Sequence, residues 1–290
     1  MAISSISIWV NPWDKTQSIE SRLYFLLRLG VMGCYVGHGF WGLMQKKEWV
    51  RFLEIFYFSP EASNLMMPVI GTCDILLGLV IFFRPNRALV IWAFVWTAFT
   101  ACLRPSSGLG MSEFFERAGN FGVPLALLFL IGVPTARSSF WKEILVLPKL
   151  DLANTRIMEW ILRISIFCLL AGHGGLAFFM QHKGLLRNLN GIGLNLDPAQ
   201  YHLFGIWEML LGSIVLLRPR TPGLLWFVLF YKLATEALFP IVGLPRDIFE
   251  TIERMGDYIA PLALIMIYQT KQSMGPNKAD TNVQHQISTL

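Results

Sequence analysis

Two histidines of this chain stand inside apolar stretches long enough to cross a membrane, and each has a glycine on either side. His38 is the centre of the tripeptide Gly-His-Gly at 37–39, and His173 is the centre of the same tripeptide at 172–174. An ionisable side chain at membrane depth is costly unless it is paired or hydrated, so such residues are functional candidates by default. An imidazole in this setting can transfer a proton or hydrogen-bond a ligand.

Acidic residues follow the two histidines in the same order along the chain. Asp74 and Glu208 each open the pattern acid-x-Leu-Leu-Gly-x5-Arg-Pro, and the motifs ERAGN at 116–120 and ERMGD at 253–257 come next. Similar landmarks at an offset of about 135 residues are the signature of an internal repeat. The sequence therefore predicts a duplicated unit.

The second half of the chain carries an ion pair that the first half lacks. Lys232 and Glu236 are one helical turn apart, and Thr97 and Ala101 occupy the corresponding places in the first half. Such a pair can stabilise a helix, but in an apolar segment it must also be hidden from lipid. Duplication followed by divergence suggests that the second half holds the working site.

The predicted site combines proton-transfer groups with groups that contact a ligand. The predicted proton-transfer residues are His173, Glu208, Lys232 and Glu236. The predicted cofactor-binding residues are His38, Asp74, Glu253, Arg254, Trp207 and Tyr231, with Trp226 and Phe230 as further aromatic walls. Burial and pairing move the pKa values of such groups toward neutrality, and the same groups suit hydrogen bonding to a quinone carbonyl. Arg254 is expected to anchor Glu253 or Glu208.

Other chemistries stay open at this point. A metal ion could be held by His173, Glu208 and Glu236, and a haem could lie between His38 and His173, but neither spacing is specific and no metal ligand is predicted. Phosphate-binding loops, dinucleotide-binding glycines and hydrolase motifs are absent from the sequence. The polar groups could also serve only to hold helices in register.

Composition indicates the environment in which these residues work. Of the 290 residues, 54% are hydrophobic and 15% are charged, whereas a soluble domain is typically about 25% charged. The chain is therefore predicted to be an all-α membrane protein, and its net charge of +5 does not indicate nucleic acid binding. Eight apolar stretches are predicted to be transmembrane helices, at 23–44, 64–83, 88–104, 119–135, 157–180, 201–217, 223–243 and 256–269.

The eight helices are predicted to form two parallel-repeat four-helix bundles, because an even number of spans brings both halves into the membrane from the same side. The predicted organisation is an N-terminal segment at 1–22, a first repeat at 23–135, a cytoplasmic linker at 136–156, a second repeat at 157–269 and a disordered tail at 270–290. Loops on the side of both termini carry the larger share of Lys and Arg, which predicts cytoplasmic termini.

These motifs resemble the DoxX-like integral membrane family. The stretch LLRLGVMGCYVGHGFWGLMQK resembles the first helix of that family, DILLGLVIFFRP and EMLLGSIVLLRP resemble its second, and ERAGN and ERMGD resemble the start of its fourth. The resemblance covers about 23–135 and 157–269. It implies a fused pair of four-helix units, whereas family members are usually single bundles, and it implies kinship with the membrane subunit of a thiosulfate:quinone oxidoreductase.

The leading functional hypothesis is a quinone-associated redox subunit of a bacterial inner or plasma membrane, if the source is prokaryotic. Its expected partners are membrane lipid and the other proteins of a membrane complex, and whether it is itself an enzyme stays open. Alternatives are a non-catalytic structural or assembly subunit and, less favoured, a transporter of protons or a small solute.

Overall fold

The computed structural model describes residues 10–134, 136–218 and 220–273. Within these ranges the chain forms α-helices, three short 3-10 helices and no strand apart from one isolated bridge between Asn86 and Glu143. The α-helices are α1 (Ile19–Leu43), α2 (Val50–Glu54), α3 (Pro60–Phe83), α4 (Arg87–Ser106), α5 (Met111–Glu116), α6 (Ala118–Ile131), α7 (Leu152–Phe178), α8 (Lys183–Gly191), α9 (Pro198–Leu217), α10 (Pro222–Val242), α11 (Ile248–Glu253) and α12 (Met255–Ser273).

Six of these helices are long and apolar enough to cross a membrane: α1, α3, α4, α7, α9 and α10. They make the chain an all-helical protein compatible with an integral membrane location. The predicted fourth and eighth spans correspond to α6 and α12, which are not among the six. With 14 residues, α6 has a length of only about 21 Å at 1.5 Å per residue, less than the roughly 30 Å of a hydrocarbon core.

The pairs Ser59-Pro60 and Asp197-Pro198 predict two helix starts, and the caps of α3 and α9 confirm both. The side chain of Ser59 accepts a hydrogen bond from the backbone N–H of Ala62 at the start of α3. Asp197 accepts from the N–H of Gln200 at the start of α9, and the Gln200 side chain returns the bond to the backbone of Asp197. A proline follows each cap, where its missing N–H costs nothing.

Two predicted boundaries are wrong. The helical spacing of Trp49, Phe52 and Phe56 predicts one interfacial helix over 46–58. The structure has instead a 3-10 turn at Lys47–Trp49 followed by α2, which ends at Glu54. The predicted tail begins too early, because α12 continues to Ser273. The remainder of that tail, 274–290, lies outside the described residues, as do residues 1–9 of the predicted N-terminal segment.

Glycines set the closest helix contacts in both halves of the chain. A Cβ placed on Gly39 of α1 would lie 2.5 Å from the carbonyl oxygen of Gly71 on α3. A Cβ on Gly174 of α7 would lie 2.4 Å from the carbonyl oxygen of Gly205 on α9. Only residues without a Cβ allow such close approach, so the glycines beside His38 and His173 bring α3 and α9 against the two histidine-bearing helices.

The centre of the molecule is formed by α1, α6, α7 and α12. The helices α6 and α12 cross where Gly119 meets Gly256, since a Cβ on Gly256 would lie 2.4 Å from the carbonyl oxygen of Gly119. By contrast, the outer helices α3, α4, α9 and α10 carry exposed apolar side chains, among them Leu76, Trp92, Leu210 and Phe230. Lipid would cover these side chains in a membrane.

Candidate functional site

In the first half, residues 19–131, the candidate histidine pairs with the candidate acid. Nδ1 of His38 on α1 lies 2.8 Å from Oδ2 of Asp74 on α3. The His38 ring also lies against the indole of Trp49, with ring centroids 4.3 Å apart. The pair with Asp74 orients the imidazole and leaves its other ring nitrogen for a second partner.

A cavity of about 100 Å³ adjoins this pair, here called the apolar cavity. Its walls come mainly from α1, α2, α3 and α4, with contributions from α6 and α11, and most of the lining side chains are apolar or aromatic. The polar groups that line it are few and include His38, Asp74, Thr97, Arg117, Asn120 and Glu253. A mostly apolar cavity with a few converging polar groups is the usual form of a small-molecule site.

Among the described residues, five polar atoms of side chains that line the apolar cavity have no hydrogen-bond partner. They are Oδ1 of Asn120, Oε2 of Glu253, Nε1 of Trp96, and Nε and Nη1 of Arg117. Asn120 is only 8% exposed and Glu253 is 1% exposed. A buried polar group without a hydrogen bond costs about 1–3 kcal/mol. These atoms have almost no accessible surface, so their side chains would have to turn before a ligand in the cavity could supply the missing partners.

In the second half, residues 152–273, the predicted histidine and acid also pair. Nδ1 of His173 lies 2.7 Å from the carboxylate oxygens of Glu208, which is fully buried. The hydroxyl of Tyr231 donates to Glu208 Oε1 over 2.5 Å, and the Trp207 ring meets the Tyr231 ring edge-on at 4.9 Å. The structure thus brings together four residues that the sequence proposed.

The predicted Lys232–Glu236 pair forms in the interior of the second half. The Lys232 ammonium donates to Glu236 Oε1 over 2.5 Å and lies 3.8 Å from Oδ2 of Asp257. Glu236 also pairs with Arg254 over 3.1 Å. Lys232 has no exposed surface, so its charge is compensated entirely by protein carboxylates.

Arg254 has different partners from those expected. Its guanidinium lies 3.0 Å from Glu116 and 2.8 Å from Glu250, in addition to Glu236. Glu253 instead pairs with Arg117, 3.4 Å away. The prediction that Arg254 anchors Glu253 or Glu208 is therefore wrong, because the arginine of each ER motif pairs with the glutamate of the other motif.

These ion pairs form a network that joins α5 and α6 to α11 and α12. We call it the inter-half network, and its members are Glu116, Arg117, Glu236, Glu250, Glu253 and Arg254. Glu250 belongs to the network and also pairs with Lys46, which lies in the turn after α1. Burial alone would raise the pKa of Glu250, but the cations Lys46 and Arg254 hold that pKa well below its ordinary value. Its carboxylate is therefore charged at neutral pH and contributes to holding the two halves together.

A second, more polar cavity of about 330 Å³ lies at the end of the molecule where the short helices gather. This polar cleft is lined by residues of both halves, including Lys46, Glu113, His173 and Arg254. Trp49, Phe52, Arg104 and Arg117 line both the cleft and the apolar cavity. Their side chains therefore lie between the two spaces, and the two candidate histidines line different ones.

Several site residues lie elsewhere or escaped the sequence prediction. Trp226 stacks with Trp13 and with the exposed Phe230, away from the second-half pair. Glu253 lines the apolar cavity of the first half, and so do Trp49 and Trp96, which the sequence did not single out. The internal repeat could have identified Trp96, because Trp96 aligns with Tyr231 of the second half.

Within the part of the chain that the structure describes, no group of three or more His, Cys, Asp or Glu side chains is arranged to hold a metal ion. No protein-family model, no curated protein and no solved structure matches this chain. The resemblance to the DoxX-like family accordingly stays a prediction.

Proposed function

We propose that this chain is an integral membrane subunit that binds a quinone, or a similar planar lipid-soluble carrier, within a redox complex. The observation that carries the proposal is the apolar cavity beside the His38–Asp74 pair. The sequence favoured a site in the second half, but the cavity makes the first half the better candidate. In the second half, Lys232 already has its partners in Glu236 and Asp257.

The size of the cavity fits one ring. An engineered apolar cavity of about 150 Å³ in another protein takes up benzene, and the cavity here is of the same order, about 100 Å³. The head group of a quinone would fill it and leave the isoprenoid tail outside. Trp49, Trp96 and Phe52 would contact the ring, since aromatic side chains favour stacked or edge-on contact with a planar ligand.

The position of the cavity suits a ligand that arrives from lipid. α3 packs along α1, whereas α4 packs against α5 and α6, so α3 and α4 scarcely contact each other. The lining includes Phe56 and Phe99, which are both about half-exposed and have ring centroids 6.0 Å apart. We propose that the ligand enters between α3 and α4 and that its tail lies against this apolar rim.

We also propose the architecture of two parallel four-helix repeats with cytoplasmic termini. Its support is that equivalent elements make equivalent contacts: α1 packs on α3 as α7 packs on α9, and α11 packs on α1 as α5 packs on α7. Lys46 pairs with Glu250, and His182 lies 3.7 Å from Glu113 at the corresponding positions. The basic loops of the termini side support the orientation.

Ala101→Phe is expected to abolish quinone binding. Ala101 is buried and lines the apolar cavity, so the added phenyl group would occupy the space of the ligand ring. Binding of a short-chain benzoquinone to the protein in lipid nanodiscs, followed by quenching of tryptophan fluorescence, measures the effect. The matched control is Cys102→Phe, which adds the same bulk at the neighbouring exposed position and should leave the affinity within about twofold of wild type.

Two results would overturn this proposal. One is wild-type protein that binds no quinone under these conditions. The other is undiminished quinone binding by a folded Ala101→Phe variant, because the ligand would then lie elsewhere.

A structural or assembly subunit is the second candidate, and the inter-half network favours it. Glu208 tests whether the second-half pair has a structural or a binding role, since it is buried and accepts hydrogen bonds from His173 and Tyr231. Glu208→Gln is expected to lower stability by about 1–3 kcal/mol and to leave quinone affinity unchanged. Thermal unfolding and quinone titration of one preparation test this. Loss of quinone binding at unchanged stability would instead move the site to the second half.

A further inference from the structure

Each half of the chain contributes one short helix to the polar cleft. In the first half α2 lies in the connection from α1 to α3, and in the second half α8 lies in the connection from α7 to α9. Because α1, α3, α7 and α9 are all long and apolar enough to cross a membrane, the connections between their ends lie at the membrane surface. The volume of the cleft, about 330 Å³, is in the usual range of ligand sites, roughly 300–1,000 Å³.

Most of the charged groups that line the cleft already have partners within the protein. Four lining cations form ion pairs with carboxylates, namely Lys46, Arg104, Arg117 and Arg254. Three lining glutamates belong to the same ion pairs or to the inter-half network, namely Glu113, Glu116 and Glu250. His173 pairs with Glu208, and His182 lies 3.7 Å from Glu113. These groups leave little charge free for a ligand.

Two arginines at the rim of the cleft differ from these cations. Arg51 of α2 and Arg187 of α8 both line the cleft and are exposed, and neither guanidinium forms a hydrogen bond or an ion pair with another described residue. Glu48 is the one lining glutamate without an ion pair among the described residues. The other exposed charged residues of the two segments are Lys47, Glu54 and Lys183. The free charge of the rim is therefore positive, and each half supplies one free guanidinium.

Exposed apolar side chains flank the same two segments. Phe56 and Tyr57 follow α2, Phe179 precedes α8 and Ile192 follows it, and all four are exposed. Basic and aromatic side chains next to each other are typical of protein surfaces at the level of the lipid head groups. The free arginines of the rim thus lie at the depth where a bilayer carries its phosphate groups.

We infer that the polar cleft is a binding site for a phosphate group, held by Arg51 from one half and Arg187 from the other. A guanidinium presents a fork of N–H donors that matches the oxygens of a phosphate. The phosphate can belong to the head group of an anionic phospholipid or to a soluble phosphate compound. This site is distinct from the one in the apolar cavity, because neither arginine lines that cavity, and it does not rest on the binding of a quinone.

The test measures the binding of two probes, short-chain phosphatidylglycerol and inorganic phosphate, to the full chain in a neutral detergent by titration calorimetry. The variant Arg51→Gln with Arg187→Gln should fold as the wild type does, because both side chains are exposed. We expect the affinity for phosphatidylglycerol to fall about fivefold for either substitution and about thirtyfold for both, the contribution of one and of two cations near a membrane surface.

The matched control is Lys47→Gln with Lys183→Gln. It removes the same charge from the same two segments, at positions that do not line the cleft, and should change the affinity by no more than about twofold, since exposed charges at a distance are screened. Binding of phosphatidylglycerol alone, lost in the arginine variant, supports a lipid head group as the ligand. Binding of inorganic phosphate, lost in the same variant, supports a soluble phosphate compound. Equal losses in the arginine and lysine variants, or no binding of either probe, overturn the inference.

Discussion

Converting the second half to the pattern of the first is expected to create a second binding site. The triple substitution Lys232→Thr, Glu236→Ala and Asp257→Asn copies Thr97, Ala101 and Asn120. It removes one cation and two carboxylates together, so none of these three positions keeps a buried charge that has lost its partner. Glu208 remains paired with His173 and Tyr231, as Asp74 is paired with His38. We expect the carrier stoichiometry to rise from one to two per chain.

The single change Lys232→Thr should behave differently. It leaves Glu236 and Asp257 buried, with Arg254 as the remaining cation beside Glu236. Breaking a buried pair from one side costs about 3–5 kcal/mol, whereas replacing all of its members by uncharged groups of similar volume is often nearly neutral. The smaller groups used here leave a cavity as well, which reduces the recovery. Thermal unfolding should therefore show a large loss for the single variant and recovery for the triple variant, and equilibrium dialysis gives the stoichiometry.

A folded triple variant that still binds one carrier per chain would contradict the idea that Lys232 occupies a former ligand site. A single variant as stable as wild type would show that the Lys232 charge is not needed to compensate its neighbours. The triple variant uses no residue of the apolar cavity, so binding at the first site serves as its internal control.

Arg254→Gln is expected to cause a large loss of stability. The guanidinium contacts Glu116, Glu236 and Glu250, which come from three different helices. Glutamine keeps part of the volume but none of the charge, so three buried carboxylates would lose their shared cation. The expected cost is about 3–5 kcal/mol or more, and the halves of the molecule should separate more easily, because Glu116 is on α5 and Arg254 follows α11.

The measurement is unfolding in detergent, with limited proteolysis in the linker between the halves as a second readout. Arg246→Gln is the matched control, since Arg246 is exposed in the nearby 3-10 turn and should contribute within about 0.5 kcal/mol. Adding Glu236→Gln to Arg254→Gln should restore part of the stability, because one fewer unpaired carboxylate remains. If the Arg254 and Arg246 variants were equally stable, the inter-half network would not contribute to the stability of the fold.

Much of the local structure follows from the sequence alone. Apolar stretches interrupted by Ser59-Pro60 and Asp197-Pro198 predicted two helix starts that the caps confirm. The sequence placed His173 and Glu208 in one candidate site, and the i,i+4 spacing predicted that Lys232 would meet Glu236; the structure contains both pairs. These features depend on helical periodicity and on the costs of buried charge, which a sequence expresses directly.

The tertiary structure decided which charges meet across the molecule and where the empty space lies. Arg254 reaches Glu116 and Arg117 reaches Glu253 because α6 and α12 cross at Gly119 and Gly256, and no local pattern encodes that exchange. The extra ion pair in the second half suggested a working site there. In the folded chain Lys232 extends to Glu236 and Asp257 and lines neither cavity, whereas the short Thr97 lines the apolar cavity, since packing volume depends on all the helices around a position.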